Sequence, residues 1–336
     1  MEKFYRSILT NAWKINLRNK WLWLLGLFAA IIGNGSVYEA LLRGFNNISE
    51  GRSVFFTFRE YVESGVFGMF SWAKLSALWQ TDPSAFGMSM FYMIVMICLI
   101  AILITIGVIG QGALIAGVIG IDQNKKVKLK NAFHVGVEKF WPILELNVIT
   151  KVFLLGILIF LAYLASLIVF ASSAFNIFIY VLSFIVFVIL GIIIYFLTIY
   201  GTAYIILRNQ GPWGGLKNAW KLFTRNVMLN LEMGFLLFIL NIVVGILFFI
   251  ANFIVISPIF VIYVLFLFTG AKIIPAVLMI VMILVFIAVM LVVGSWWSSF
   301  QLGTWALLFE KLDSSNAKSK IQRWFENVKG RKKKRK

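Results

Sequence analysis

Glu145, Lys151 and Glu232 are ionisable residues that fall inside long apolar runs of this chain. A charge held inside hydrocarbon costs about 2.5–3.5 kcal/mol on insertion scales, so such residues are the first place to look for a site in a membrane protein. Two carboxylates and an ammonium could hold a cation or relay a proton. Glu145 and Glu232 each stand fourteen residues after an Asn-Ala-aromatic triplet, at Asn131 and Asn218. That spacing allows a cation or proton site between two repeated units. The competing reading is structural: both acids lie near the start of their apolar runs, where a carboxylate meets water, basic segments or the free N–H groups of a helix N-terminus. Lys151 can snorkel or pair with an acid. Gln111, Asn147, Asn230, Asn241, Asn252 and Gln301 read as hydrogen-bonding glue between helices.

Other chemistry has little to work with. His134 is the only histidine and Cys98 the only cysteine, which removes any Cys/His metal cluster and any internal disulfide. Cys98 reads as a small buried apolar residue. The chain contains no Walker A, Rossmann glycine, Gly-x-Ser-x-Gly or His-Glu-x-x-His pattern. The sequence therefore predicts no catalytic residue, no metal, no cofactor and no enzymatic activity.

The elements that must carry these residues follow from composition. The chain has 336 residues, 61% hydrophobic and 13% charged, with mean hydropathy +0.94, the balance of an all-α polytopic membrane helix bundle. Six spans are expected: 21–42, 86–121, 143–173, 176–207, 227–256 and 276–309. The second would be about 54 Å long if wholly helical, so it must tilt, begin outside the hydrocarbon or bend in "TIGVIGQGALIAGVIG". The first is the shortest apolar run, and its start also fits the n- and h-regions of a secretory signal peptide, although no small-x-small cleavage site follows. Residues 258–270 read as a helix extension or a re-entrant or interfacial piece.

Charge sets the expected orientation. Of 31 Lys and Arg, five lie in 1–20, five in 122–142, four in 208–225 and eleven beyond 309, all on one side of a six-span arrangement. The positive-inside rule then puts both termini in the cytoplasm, with the protein in the cytoplasmic membrane. This distribution argues against nucleic acid as the partner of the +18 net charge. The long outer loop 33–86 is rich in Phe and Trp and is expected to form short amphipathic helices, as a lid or as a surface for a substrate or partner.

Three segments repeat: "TNAWKINLRN" from Thr10, "KNAFHVGVEK" from Lys130 and "KNAWKLFTRN" from Lys217. Each is amphipathic at helical spacing and each precedes an apolar run. Such a helix lies in the inner interface, with Trp13, Phe133 and Trp220 as anchors and Lys217, Lys221 and Arg225 on anionic headgroups. Lys332, Lys333 and Lys334 of the polybasic tail extend the same contact. Span ends match too, in "GQGALIAGVIG", "IYGTAYIILRN" and "FQLGTWALLFEKL", whose small residues let helices approach closely. The domains expected are 1–122, 123–209 and 210–313, three parallel repeats of an interfacial helix plus a transmembrane hairpin, followed by the tail 314–336.

"TNAW" and "LKNAW", the latter within "RNQGPWGGLKNAWKLFTRN" after a Gly-containing span end, resemble a broad group of prokaryotic integral membrane proteins. That group includes the membrane domain found beside glycerophosphodiester phosphodiesterases and the YciC-like inner-membrane proteins. The resemblance implies a membrane protein without the phosphodiesterase's acidic metal site, so no activity carries over. The function expected is non-enzymatic, through contacts with membrane lipids of the anionic inner leaflet or with a protein partner in the cell envelope. The alternatives are a transporter or channel-like protein with a pathway between units and, more weakly supported, an intramembrane lipid-modifying enzyme.

Overall fold

A computed structural model describes residues 4–32, 72–170, 174–268 and 273–314. Among them are ten helices: α1 (Phe4–Arg18), α2 (Trp21–Ile31), α3 (Trp72–Thr81), α4 (Pro83–Asp122), α5 (Leu129–Glu138), α6 (Phe140–Phe170), α7 (Ala174–Arg208), α8 (Pro212–Arg225), α9 (Val227–Leu267) and α10 (Ile273–Ser314). Five of these, α4, α6, α7, α9 and α10, are long and apolar enough to cross a membrane. The fold is an all-α polytopic membrane helix bundle. The expectations for residues 33–71 and for the tail, Lys332, Lys333 and Lys334 included, lie outside the described residues.

Several boundaries differ from the sequence reading for identifiable reasons. α4 runs unbroken through its glycines for 40 residues, about 60 Å of helix, so its excess length is not taken up by a break. Residues 258–267 are a plain extension of α9, which continues through Pro258. α2 ends at Ile31, and residues 33–42 of the first expected span lie outside the described residues. Cys98 is exposed on α4, not buried: a thiol on an apolar helix can face lipid as easily as protein.

Short corners join the amphipathic helices to the membrane helices that follow. A single residue, Lys139, separates α5 from α6, and Asn226 separates α8 from α9. Pro212 at the first turn of α8 follows Gly211, the position where a missing N–H costs nothing. The preceding helices stop at Asn124 (φ 58°) and Asn209 (φ 53°), asparagines in the left-handed conformation that ends helices.

The chain divides into two compact units. The first comprises Met1–Ala30, Val108–Phe140 and Ile199–Lys336. Because lipid tails are as apolar as leucine, helices here associate through close approach and polar bonds. A Cβ on Gly26 of α2 would lie 2.6 Å from Ser295 O and 2.7 Å from Ser299 N of α10. One on Gly110 of α4 would lie 2.7 Å from Phe28 Cβ and 3.2 Å from Leu25 O of α2. Gly303 of α10 meets Val118 of α4. The glycines of the span ends are thus contact points, as their sequence context suggested.

The second unit comprises Ile31–Gly107 and Trp141–Thr198. Its core pairs Leu161 of α6 with Phe187 of α7, flanked by Ile157, Leu158 and Phe184. Between α3 and α4 stands Asp82, whose Oδ1 accepts the Ser84 and Ala85 N–H groups at 3.1 Å each and the Ser84 hydroxyl at 2.6 Å. The Ser84 hydroxyl, then the Ala85 N–H, hold its carboxyl below the usual aspartate range. A depressed folded-state pKa means that the cap is fully present above the unfolded value, about 3.9, and is lost as pH falls through the folded one. Acid titration followed by NMR should therefore move the Ser84 and Ala85 amides together, with a midpoint below 3.8; a midpoint above it would refute the cap.

Candidate functional site

The three repeated segments fold as α1, α5 and α8, and each presents three faces rather than two. Toward the protein, Ala12, Ala132 and Ala219 are buried, as are the residues four further on, Asn16, Gly136 and Phe223. Trp13, Phe133 and Trp220, one residue after each alanine, are 43%, 40% and 50% exposed, and Leu17 and Val137 continue that apolar exposed strip in α1 and α5. The basic residues Lys14 and Arg18, Lys130, and Lys217, Lys221 and Arg225 are exposed as well. A helix at the edge of a water-soluble core needs only a buried and a polar face. An exposed apolar strip beside a basic one fits a helix meeting protein, acyl chains and headgroups at once.

The protein-facing sides pack on the span ends. Gly136 of α5 lies against α4, where a Cβ would come within 2.5 Å of Ile109 O. Gly215 of α8 lies against α7, where it would come within 3.0 Å of Gly201 O. α1 packs on the last helix, α10: Asn16 Nδ2 donates to Trp296 O at 3.0 Å, Ser299 Oγ donates to Asn16 Oδ1 at 2.8 Å, and Trp13 meets Trp296 and Phe300 edge-on at 5.3 and 5.7 Å.

Polar bonds tie these ends together. Tyr204 OH donates to Asp313 Oδ1 at 2.9 Å while Arg208 bridges Asp313 Oδ2 at 2.6 Å. Lys311 Nζ donates to Ser7 Oγ at 3.0 Å, Gln123 Nε2 to Glu310 Oε1 at 2.7 Å, and Asn11 Nδ2 to Asp122 Oδ1 at 3.3 Å. Lys139 Nζ donates to Asn209 Oδ1.

The sequence-predicted intramembrane residues occupy different settings. Glu232, partly buried, accepts the Tyr5 hydroxyl and so tethers α9 to α1. Glu145 is exposed on α6. Lys151 donates to the backbone carbonyl of Ile32 at 2.8 Å, a partner that neither snorkelling nor pairing with an acid described. The amides divide. Asn230 accepts the Tyr200 hydroxyl at 2.6 Å and Asn241 accepts the Trp297 indole at 2.7 Å, both between helices. Asn147 and Asn252 bond back to Ile143 O and Phe248 O of their own helices. Among the described residues, no group of three His, Cys, Asp or Glu could hold a metal. Sequence reasoning missed Asn16, Tyr5 and Asp313. Asn16 had a signal: a polar residue four positions after Ala12, on the face that periodicity assigns to packing.

Fold and helix faces together define a multi-pass membrane helix bundle edged by amphipathic helices. No family model, curated protein or solved structure matches the chain.

Proposed function

We propose that this is a non-enzymatic integral protein of a prokaryotic cytoplasmic membrane, akin to the YciC-like group, that acts through lipid contacts at the anionic inner leaflet. The observation carrying this reading is the three-faced burial pattern shared by α1, α5 and α8. Each helix clasps the end of a long membrane helix: α5 that of the preceding helix α4, α8 that of α7, and α1 that of the last helix, α10. This cyclic pattern supports three parallel units, 1–122, 123–209 and 210–313, closed head to tail. The basic strips, the positive-inside distribution and the tail all support cytoplasmic termini. The Tyr5 tether on Glu232 supports a structural role for that acid over a transport pathway.

The test is lipid selectivity. Each basic residue near an anionic surface is worth roughly 1 kcal/mol, so replacing Lys217, Lys221 and Arg225 together by Gln should lower the protein's preference for phosphatidylglycerol over phosphatidylcholine. The fall should be several-fold or more, measured with spin-labelled lipids in reconstituted vesicles at low salt. An unchanged preference would refute the reading. Topology is checked separately in a Cys98→Ala background. A cysteine at Trp79 should react with an impermeant maleimide in intact cells, and one at Asn209 only after lysis; the reverse would invert the orientation.

A further inference from the structure

We infer that α6 carries a lipid-binding face selective for a headgroup with a primary ammonium, the class of phosphatidylethanolamine. Glu145 is its charge, and Val148, Val152, Leu155 and Ile159 are its track for an acyl chain. Trp141, Glu145 and these four residues recur at alternating steps of four and three, so they share one side of the helix. Trp141 and each of the four aliphatic residues are more than half exposed, and Glu145 is exposed among them. Leu146, Leu154 and Leu161, on the opposite side, are buried, Leu161 against Phe187 of α7. α6 thus gives one side to the protein and turns this strip outward, within a segment apolar enough to cross a membrane.

A strip of that kind meets lipid, and its depth decides which part of the lipid the carboxylate meets. Glu145 stands four residues after Trp141, about 6 Å along the axis, and tryptophans of membrane helices settle at headgroup level. Side chains on a helix lean toward its N-terminus, so the Glu145 carboxylate leans back toward that level. A phosphate there repels it, whereas an ammonium attracts it and donates a charge-assisted hydrogen bond. Local alternatives are out of reach or engaged elsewhere. The free N–H groups of α6 belong to its first four residues, and Glu145 is the sixth. Lys139 donates to Asn209 and pairs with Glu138, and Lys151 donates to Ile32 O. A trimethylated ammonium holds its charge behind methyl groups and has no N–H, which favours the primary one. The inference goes beyond the anionic-leaflet reading, because it concerns the opposite charge on a different helix.

A photo-crosslinking residue at Val148, with mass spectrometry of what it captures, tests the face where it lies. The full chain is reconstituted with EDTA into vesicles of equal phosphatidylethanolamine and phosphatidylcholine, two lipids of the same net charge. Wild type should capture phosphatidylethanolamine over phosphatidylcholine by about two- to fivefold, the range of an exposed ion pair. Glu145→Gln, which keeps the size of the side chain and removes its charge, should bring the two lipids to parity. The same crosslinker at Ile185, exposed on α7, should show parity in both proteins. The Lys217, Lys221 and Arg225 triple variant should leave the ratio at Val148 unchanged while losing preference for phosphatidylglycerol, so the two readings fail separately. Should Glu145→Gln not fold, successive N-methylation of phosphatidylethanolamine must lower its capture by wild type step by step, and a flat series overturns the face. Parity in wild type, or a preference that survives in folded Glu145→Gln, overturns it as well. So does capture at Val148 of another part of this chain, or of a second copy, in place of lipid.

Discussion

Gly26→Ala should lower the thermal midpoint of the detergent-solubilised protein by about 2–4 °C, although alanine is the better helix former. The alanine Cβ gains about 1 kcal/mol of helix propensity but lands within 2.7 Å of Ser295 O, Ser299 N and Ser299 Cβ. Two of those atoms are backbone and the third is a Cβ, so no rotamer change relieves the clash and α2 must move away from α10. Overpacking of that kind costs about 1–3 kcal/mol and more when backbone must shift. A net loss near 2 kcal/mol corresponds to the stated change in midpoint. Gly136→Ala, facing Ile109 O at 2.5 Å and Ala113 N at 3.1 Å, should behave alike.

The control runs the other way. Gly156, Gly245 and Gly294 have nothing within 4 Å of an added Cβ, so Ala there should raise the midpoint slightly through reduced chain entropy. If all five substitutions shift the midpoint in one direction, the claim that backbone proximity holds α2 to α10 and α5 to α4 is wrong.

These contacts also mark how far the sequence could be read. The amphipathic helices were legible because their side chains recur at the helical period, and Ala12, Ala132 and Ala219 fall on the buried side as periodicity requires. Membrane helices were legible because hydrocarbon imposes length and apolarity on them. Their outer ends were legible unevenly: α4 starts at Pro83, three residues before the expected 86. α9, in contrast, runs to Leu267 through Pro258, where the sequence left an extension and a re-entrant piece both open because the run stays apolar past the proline. Periodicity gave each interfacial helix one apolar arc, whereas packing splits that arc. Ile8, Ala12 and Ile15 turn to the protein, while Trp13 and Leu17 remain exposed. Which residues turn inward depends on α10, nearly 300 positions away, and nothing local encodes it. The partner of Lys151 was hidden for a related reason, because a backbone carbonyl such as Ile32 O carries no residue signature.

Asn16→Ala should detach the interfacial helix from the bundle more severely than any single charge removal on its outer face. The side chain is 2% exposed and works in two directions, donating to Trp296 O at 3.0 Å and accepting from Ser299 Oγ at 2.8 Å. Its own carbonyl accepts the Trp23 indole N–H at 3.0 Å, so one residue fixes α1 against α10 and against the first turns of α2. In a membrane, interhelical hydrogen bonds contribute about 0.6 kcal/mol each on average and up to about 1.7. Truncation adds a cavity to the two lost bonds. The sum is about 2–4 kcal/mol, which should appear as a lower midpoint and as faster proteolysis within residues 4–18. A double-mutant cycle separates the bond from the cavity. Ser299→Ala removes the same bond from the other side, so the two losses should fall short of additive by about 0.5–1.5 kcal/mol. Strict additivity would mean that Asn16 only fills space. By contrast Lys14→Gln, on the exposed face, should leave the midpoint unchanged and act only on lipid selectivity, because surface charge adds little to stability. The separation of those two readouts follows from the geometry of α1, whose inner face holds the bundle while its outer face meets the membrane.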